Sequence, residues 1–186
     1  MNEINWKTLS GKYLYRDPWL TVRQDCLELP DGRIIPNYYI LEYPEWVNVI
    51  AVTPEQQLIM ERQYRPGLGA YAFELCAGTV EKTDASVLEA ARRELLEETG
   101  FGGGEWSEFL VLSPNPSSHN NLAHTFLARN VVHMQQPHLD ASEDIQVFLM
   151  PEDEVFTLLE QGKIVSGPMV AALWKYRLFR RENRFS

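Results

Sequence analysis

Cysteine and long apolar runs are both scarce in this sequence. Two cysteines, Cys26 and Cys76, occur in 186 residues and form no Cys-x-x-Cys pair, which argues against a disulfide framework and predicts buried free thiols in a reducing compartment. No stretch reaches the roughly 20 apolar residues that a membrane span needs. The first ten residues contain no apolar run long enough for a signal peptide. We therefore expect a cytoplasmic protein without a membrane partner.

Basic residues are also few. The chain has 17 Lys and Arg residues against 26 Asp and Glu residues, which gives a formal net charge of −9. Polyanions attract basic surfaces, so this balance argues against a nucleic-acid partner. An acidic protein can still bind a phosphate-bearing small molecule when divalent cations lie between the two. Part of the carboxylate excess can therefore be functional.

Turn signals and hydrophobic periodicity divide the chain into short strands and three helices. Asp31-Gly32 between two apolar runs predicts a hairpin, because glycine tolerates the positive φ of such a turn. The predicted strands cover residues 20–29, 34–41, 47–52, 58–60, 71–75, 109–112, 122–128 and 145–150, and the predicted helices cover 86–99, 153–161 and 168–180. Strands dominate the first half and helices are interleaved later. This order predicts an α/β (α+β) sandwich around a mixed sheet.

The first predicted helix carries a compact group of carboxylates. Ser86 is placed to cap its start, and Gly100 to end it. At about 100° per residue, Glu94, Glu97 and Glu98 fall on one face within about 100° of one another. Such a cluster repels itself unless a cation lies among its members, and it suits a hard cation with oxygen ligands. The alternative interpretation is an acidic face that is merely solvated.

The end of this helix resembles a known signature. Residues 93–101, Arg-Glu-Leu-Leu-Glu-Glu-Thr-Gly-Phe, with Gly78 upstream, match every specified position in the second half of the Nudix box, Gly-x5-Glu-x7-Arg-Glu-U-x-Glu-Glu-x-Gly-U, where U is bulky and apolar. The first half departs from the box. Asp84 stands in place of its first glutamate, and eight residues rather than seven separate Asp84 from Arg93. We therefore assign no direct role to Asp84.

The resemblance implies a Nudix fold, in which a mixed β-sheet is sandwiched between helices. It also implies a metal centre for Mg²⁺ or Mn²⁺. The implied metal ligands are Glu94, Glu97, Glu98 and a backbone carbonyl of Ala77 or Gly78. Glu98 and Arg93 are the catalytic candidates within the box, with Arg93 orienting the glutamates as a neighbouring cation.

Sequence outside the box resembles one branch of this family, the ADP-ribose pyrophosphatases. The segments Glu61–Arg65 and Phe73–Gly78 are similar to those that precede the box in that branch. There, the arginine of Gln-Tyr-Arg contacts the substrate, so the resemblance makes Arg65 a substrate-binding residue, with Arg62 and Glu74 as further candidates. A guanidinium suits phosphate because it donates paired hydrogen bonds at constant charge. An ordinary surface arginine is the alternative.

Two later segments extend the resemblance. Residues 113–118, Ser-Pro-Asn-Pro-Ser-Ser, are similar to the branch's Ser-Pro-Gly loop, with Asn115 in place of the glycine. Residues 139–147 resemble the acidic loop and strand that follow. In ADP-ribose pyrophosphatases a glutamate of this loop is the candidate general base, and Glu143 takes that position. The alternative is an exposed loop carboxylate.

The predicted domain division follows from the same comparison. Residues 1–45 form an N-terminal β extension, and residues 46–186 form the Nudix hydrolase domain. Relatives of the ADP-ribose type use the N-terminal region to dimerise, so we expect a homodimer built partly from this extension. An unpaired hairpin would also leave an exposed strand edge.

The implied reaction is metal-dependent hydrolysis of the diphosphate in ADP-ribose or a related nucleoside-diphosphate sugar. Alternatives are a UDP-sugar or GDP-mannose pyrophosphatase, and a non-catalytic sensor of nucleotide sugars. A hydrolase of damaged nucleoside triphosphates is a further rival, but the Gln-Tyr-Arg segment and the N-terminal hairpin argue against it. Trp46 and Tyr71 could stack on a nucleobase, or could serve packing alone.

Overall fold

The computed structural model describes residues 5–17, 19–141 and 144–183 and divides the chain into two compact units. The first unit joins residues 1–44 to the loop at 113–122. Its three antiparallel strands run in the order β1 (Lys7–Arg16), β2 (Thr21–Glu28) and β3 (Ile34–Glu42). The Asp-Gly turn between β2 and β3 has Gly32 at a φ of 84°, as the hairpin prediction requires. Strand β1 was not predicted, because its residues lie exposed and show no buried face.

The second unit, residues 45–112 and 123–186, holds the remaining strands and the helices. The strands are β4 (Trp46–Val52), β5 (Gln57–Arg65), β6 (Ala70–Glu74), β7 (Cys76–Thr79), β8 (Phe101–Gly102), β9 (Glu105–Leu112), β10 (Ala123–Arg129), β11 (Val132–His133) and β12 (Ile145–Pro151). The helices are α1 (Val87–Glu94), α2 (Glu152–Glu160) and α3 (Gly167–Asn183). The main sheet runs β12-β5-β4-β10-β9, with β6 paired to β5 and β7 paired to β4. Because β4 and β10 are parallel and their other pairings are antiparallel, the sheet is mixed.

Alternation along the central strands places a core on each face of this sheet. On β4, Ile50 packs in the cluster that includes Leu173 of α3, whereas Val49 packs in the cluster that includes Ala91 and Leu95. Helices α2 and α3 therefore cover one face and α1 covers the other. This confirms the predicted sandwich of a mixed sheet between helices. Among the described residues, no helix is long and apolar enough to cross a membrane.

The helix with the carboxylates departs from a regular α-helix where it carries Glu97 and Glu98. Ser86 caps its start, and its hydroxyl accepts a hydrogen bond from the Glu89 amide at 3.2 Å. The α-helical part ends at Glu94, and residues Leu95–Thr99 form a π-helical turn. Such wider turns are often found at functional sites. This turn carries Glu97 and Glu98, so their placement differs from the regular helix that the sequence predicts.

Gly100 ends the π-helical turn in a left-handed conformation, with φ of 75°. A Cβ at this position would lie 2.1 Å from the carbonyl oxygen of Gln135. Gly100 also accepts a hydrogen bond from the Met134 amide at 2.8 Å, so it joins the helix end to the segment beyond β11. Both the backbone angle and the close approach require glycine here.

We expect Gly100→Ala to lower the free energy of unfolding by at least about 1–2 kcal/mol, the cost of a left-handed residue with a Cβ. Gly67→Ala is the matched control, because a Cβ at Gly67 meets nothing within 4 Å. Urea denaturation of both variants measures the difference. Equal stability of the two variants would contradict this account of the helix end.

Candidate active site

Glu94 lies directly against the backbone of Gly78. A Cβ placed on Gly78 would come within 2.0 Å of Glu94 Oε1, so any side chain at this position would displace the carboxylate. Glu94 is the last residue of α1 and is buried. The glycine at the start of the box therefore serves a close approach between strand β7 and the helix.

Glu98 reaches the same strand from the π-helical turn. Its Oε2 accepts a hydrogen bond from the backbone amide of Ala77 at 3.2 Å, and the residue is buried. Glu94 and Glu98 thus converge on neighbouring residues of β7, the two positions where the resemblance places a carbonyl ligand. Oxygen donors from two buried carboxylates beside a backbone segment fit a hard divalent cation. The residues present therefore suit Mg²⁺ or Mn²⁺.

Arg93 holds three acidic side chains of the box region together. Its Nε and Nη2 donate to the two carboxylate oxygens of Asp84 at 3.0 and 3.1 Å. Its Nη1 donates to Glu97 Oε2 at 3.0 Å, and its Nη2 lies 3.1 Å from Glu94 Oε1. A further bond from Nη2 reaches the carbonyl of Thr79 at 3.1 Å. This geometry suits the orienting role that the resemblance gives to Arg93.

Asp84, to which the sequence analysis assigned no direct role, lies beside Arg93 in the structure. The paired bonds place its carboxylate under the Arg93 guanidinium, and this hydrogen bonding is the main reason that the pKa of Asp84 is lowered. The same bonds raise the pKa of Arg93. Asp84 can still reach Arg93, because the extra residue lies in the loop before α1, which begins at Val87. Asp84 therefore positions Arg93.

A cleft of about 360 Å³ is lined in part by Ala77 and Gly78, the backbone positions that the two glutamates approach. It is lined by Trp46, Val47, Asn48, Arg65, Glu74, Ala77, Gly78, Thr79, Ala123, Ser166, Pro168 and Met169. Four of the predicted site residues, namely Arg65, Glu74, Ala77 and Gly78, are therefore brought together. The contributions of Asn48 and of the segment before α3 were not predicted, because they depend on strand pairing and on where the last helix packs.

Arg65 is anchored by Glu74 within this cleft. Its Nε lies 2.9 and 3.0 Å from the two carboxylate oxygens of Glu74, which is buried. The hydrogen bond to Glu74 is the main reason that the pKa of Arg65 is raised, so the guanidinium stays charged. Because both carboxylate oxygens of Glu74 accept from Arg65, Glu74 is placed to orient Arg65. Because Glu74 holds the Arg65 guanidinium, the N–H groups of Arg65 that do not bond to Glu74 also have a fixed direction.

Arg62 does not line the cleft. Side chains alternate along a strand, so Arg62 and Arg65 of β5 face opposite sides of the sheet. The Arg62 guanidinium lies 4.5 Å from the centre of the Tyr71 ring, and Tyr71 in turn contacts Tyr64. Within this chain, Arg62 and Tyr71 belong to an aromatic cluster on the other face. Trp46, by contrast, lines the cleft.

Three further glutamates complete the comparison with the sequence. Glu143, the predicted general base, lies outside the described residues. Glu61 was not assigned a role, yet one of its carboxylate oxygens lies within 4.8 Å of a Glu98 carboxylate oxygen and of Cys76 Sγ. Glu61 directly follows the apolar run Leu58–Met60, and buried strand positions are normally apolar. A carboxylate at this position was therefore the signal that could have pointed to a role for Glu61. Glu97 is only half-buried, with 43% of its side chain exposed.

The fold agrees with comparisons to known proteins. A model of the NUDIX domain matches residues 43–173, and a model of the nucleoside diphosphate sugar hydrolase N-terminal domain matches residues 6–41. Because the first match covers most of the chain, this protein belongs to the Nudix family and is a Nudix hydrolase.

Individual relatives match over nearly the whole chain. An ADP-ribose pyrophosphatase of Bacillus subtilis (strain 168) is 26% identical over 174 residues, which is 93% of each protein. The ADP compounds hydrolase NudE of Escherichia coli (strain K12) is 27% identical over 176 residues, which is 94% of this chain and 90% of NudE. A crystal structure of an ADP compounds hydrolase covers 98% of both chains with a TM-score of 0.84 at 24% identity, which supports the fold.

We expect Asp84→Asn to lower the divalent-metal affinity or kcat/KM by about 10–100-fold, the usual effect of removing a partner that orients a ligand. The amide keeps the size of the side chain but cannot accept both bonds from Arg93. Asp153→Asn, at an exposed position in the first turn of α2, is the matched control. Wild-type metal affinity and turnover in Asp84→Asn would show that Asp84 does not position Arg93 for metal binding or catalysis.

Proposed function

We propose that this chain hydrolyses the diphosphate of ADP-ribose or a related nucleoside-diphosphate sugar and uses Mg²⁺ or Mn²⁺ as its cofactor. One observation carries the proposal. The buried carboxylates of Glu94 and Glu98 converge on Ala77 and Gly78, at the wall of the cleft that also presents Arg65. A site for a hard cation and a site for phosphate thus share one wall.

Glu94, Glu97 and Glu98 would hold the cation, with a carbonyl of Ala77 or Gly78 as a further ligand. When bound, the ion would neutralise negative charge on the diphosphate and make water a better nucleophile. Arg93 keeps Glu94 and Glu97 in place through the contacts described above. Without that guanidinium, the carboxylates would repel one another.

Arg65 would bind a phosphate group and fix the direction of attack. Its orientation is set by Glu74, so little side-chain freedom is lost when the substrate binds. Trp46 lines the same cleft, where its indole could stack on the nucleobase. These contacts suit a ligand that joins a base to two phosphates.

In the proposed reaction, a water oxygen bonds to one phosphorus as the bond from that phosphorus to the bridging oxygen breaks. The bridging oxygen leaves with the other phosphate, so the products are a nucleoside monophosphate and a sugar phosphate. Glu143 is our proposed acceptor of the water proton, on the resemblance of its acidic loop. The names of the relatives support ADP-ribose as the first substrate to test.

In the presence of Mg²⁺, we expect ADP-ribose to be hydrolysed faster than UDP-glucose, GDP-mannose or an oxidised nucleoside triphosphate. The expected products are AMP and ribose 5-phosphate. A coupled phosphatase assay reports the products.

Excess chelator should abolish turnover, and added Mg²⁺ or Mn²⁺ should restore it. Glu98→Gln should lose several orders of magnitude in kcat, whereas Glu154→Gln, an exposed position on α2, should keep wild-type turnover.

Two outcomes of this assay would contradict the proposal. Full turnover in excess chelator would remove the metal from the mechanism. Turnover of the triphosphate alone would assign the chain to a different substrate class. Preference for UDP-glucose or GDP-mannose would keep the chemistry and change the base, and binding of nucleotide sugars without hydrolysis would indicate a sensor.

The N-terminal extension, residues 1–45, is our proposed dimer interface. Strand β1 exposes large apolar side chains on both of its faces, among them Leu9, Tyr13, Leu14 and Tyr15, and Trp19 is 74% exposed in the turn that follows. A strand so exposed presents an unpaired edge and apolar surface to solvent. A second copy of the same chain would cover both.

We expect a homodimer at micromolar concentration, measured by size-exclusion chromatography with light scattering. Leu14→Lys should shift the population toward the monomer, because it places a charge in the proposed interface. Leu68→Lys changes another exposed leucine, in the β5–β6 turn, and should leave the dimer intact. A monomeric wild type, or equal behaviour of the two variants, would count against this interface.

A further inference from the structure

Glu61 is a buried charge in the main sheet. It occupies the middle of β5, and only 3% of its surface is exposed. Its cross-strand neighbour on β6 is Glu74. Ile59, two residues earlier on the same strand, packs in the cluster with α1. By alternation, Glu61 therefore faces the side of the sheet that carries α1 and the π-helical turn. A carboxylate at such a position needs a compensating charge or hydrogen bonds.

Glu98 and Cys76 lie close to Glu61. A carboxylate oxygen of Glu61, a carboxylate oxygen of Glu98 and Cys76 Sγ all lie within 4.8 Å of one another, and all three residues are buried. Two carboxylates at this separation in a poorly hydrated interior repel strongly unless a cation lies between or beside them. Because Cys76 is neutral as a thiol, it contributes no compensating positive charge.

Arg65 is a cation on which these charges act, and its carboxylate partner is Glu74. Both Glu98 and Glu61 act on the Arg65 guanidinium through their charge, whereas its hydrogen bonds go to Glu74. The carboxylates of Glu61, Glu74 and Glu98 thus all act on one guanidinium. Carboxylate oxygens are also the ligands that a hard divalent cation prefers.

We infer that Glu61 is a further residue of the metal centre, which supplies a carboxylate from strand β5 to the divalent cation held by Glu98. This inference rests on the proposed metal-dependent function, and it adds a residue that lies outside the box. Glu61 and Arg65 lie on one face of β5, and the Arg65 guanidinium is bonded to Glu74, which is paired with Glu61 across the two strands. Strands β5 and β6 would therefore hold the metal ligand and the guanidinium that binds phosphate close together.

Metal binding by Glu61→Gln tests this inference directly. The Kd for Mn²⁺ is measured by electron paramagnetic resonance on the full chain without substrate, and the increase in Tm on addition of Mn²⁺ is measured in parallel. Glu61→Gln keeps the size of the side chain and removes its charge. We expect its Kd to rise about 10–100-fold and its Mn²⁺-induced increase in Tm to fall.

Glu55→Gln is the matched control, because it removes one negative charge from an exposed turn of the same unit. It should bind Mn²⁺ as the wild type does. If Glu61→Gln fails to fold, Glu61→Asp replaces it, and the shortened carboxylate should weaken Mn²⁺ binding while retaining the charge. A Kd within twofold of wild type in the folded variant, with binding lost in Glu98→Gln, would overturn the inference and leave Glu61 a structural residue.

The Mn²⁺-binding and hydrolysis measurements together distinguish a failure of this inference from a failure of the proposed function. Mn²⁺ binding that depends on Glu61, without hydrolysis of any nucleotide sugar, would support the inference and contradict the function. Hydrolysis with Mn²⁺ affinity that is independent of Glu61 would do the reverse. A wild-type chain that binds no Mn²⁺ would contradict both.

Discussion

Carboxylates can gather at one end of the helix because Arg93 lies among them. Its guanidinium bonds to Asp84 and Glu97, lies beside Glu94, and also reaches the Thr79 carbonyl. Each of these acidic groups would otherwise repel the others near a poorly hydrated strand. The guanidinium therefore makes the acidic cluster compatible with a folded protein before any cation binds. The placement of the helix end against β7 depends on the same contacts.

Close approach of backbone and side chain is the second requirement of the site. Gly78 brings β7 against the Glu94 carboxylate, and the Ala77 amide binds Glu98. The π-helical turn at Leu95–Thr99 carries Glu98 to that amide, while Gly100 ends the turn in a conformation that glycine favours. A few local backbone features thus decide where the two buried carboxylates point.

The helix and its chemistry could be predicted because their signals are local. Residues 93–101 carry the box, Ser86 and Gly100 mark the ends of the helix, and the side chain of each is placed by its neighbours along the chain. The mixed sheet between helices followed in the same way from periodicity and turn residues. Strand β1 escaped prediction because periodicity reveals a strand only when one of its faces is buried.

The sequence by itself determined the family and the acidic helix, because each depends on residues that are neighbours in the chain. Only the tertiary structure decided which side chains meet across strands. Alternation along β5 sends Arg62 to one face of the sheet and Glu61 to the other, and pairing with β6 places Glu74 opposite Glu61, where the Arg65 side chain reaches it. These contacts join separate segments, and a one-residue change of register would exchange the faces, so no local pattern could reveal them.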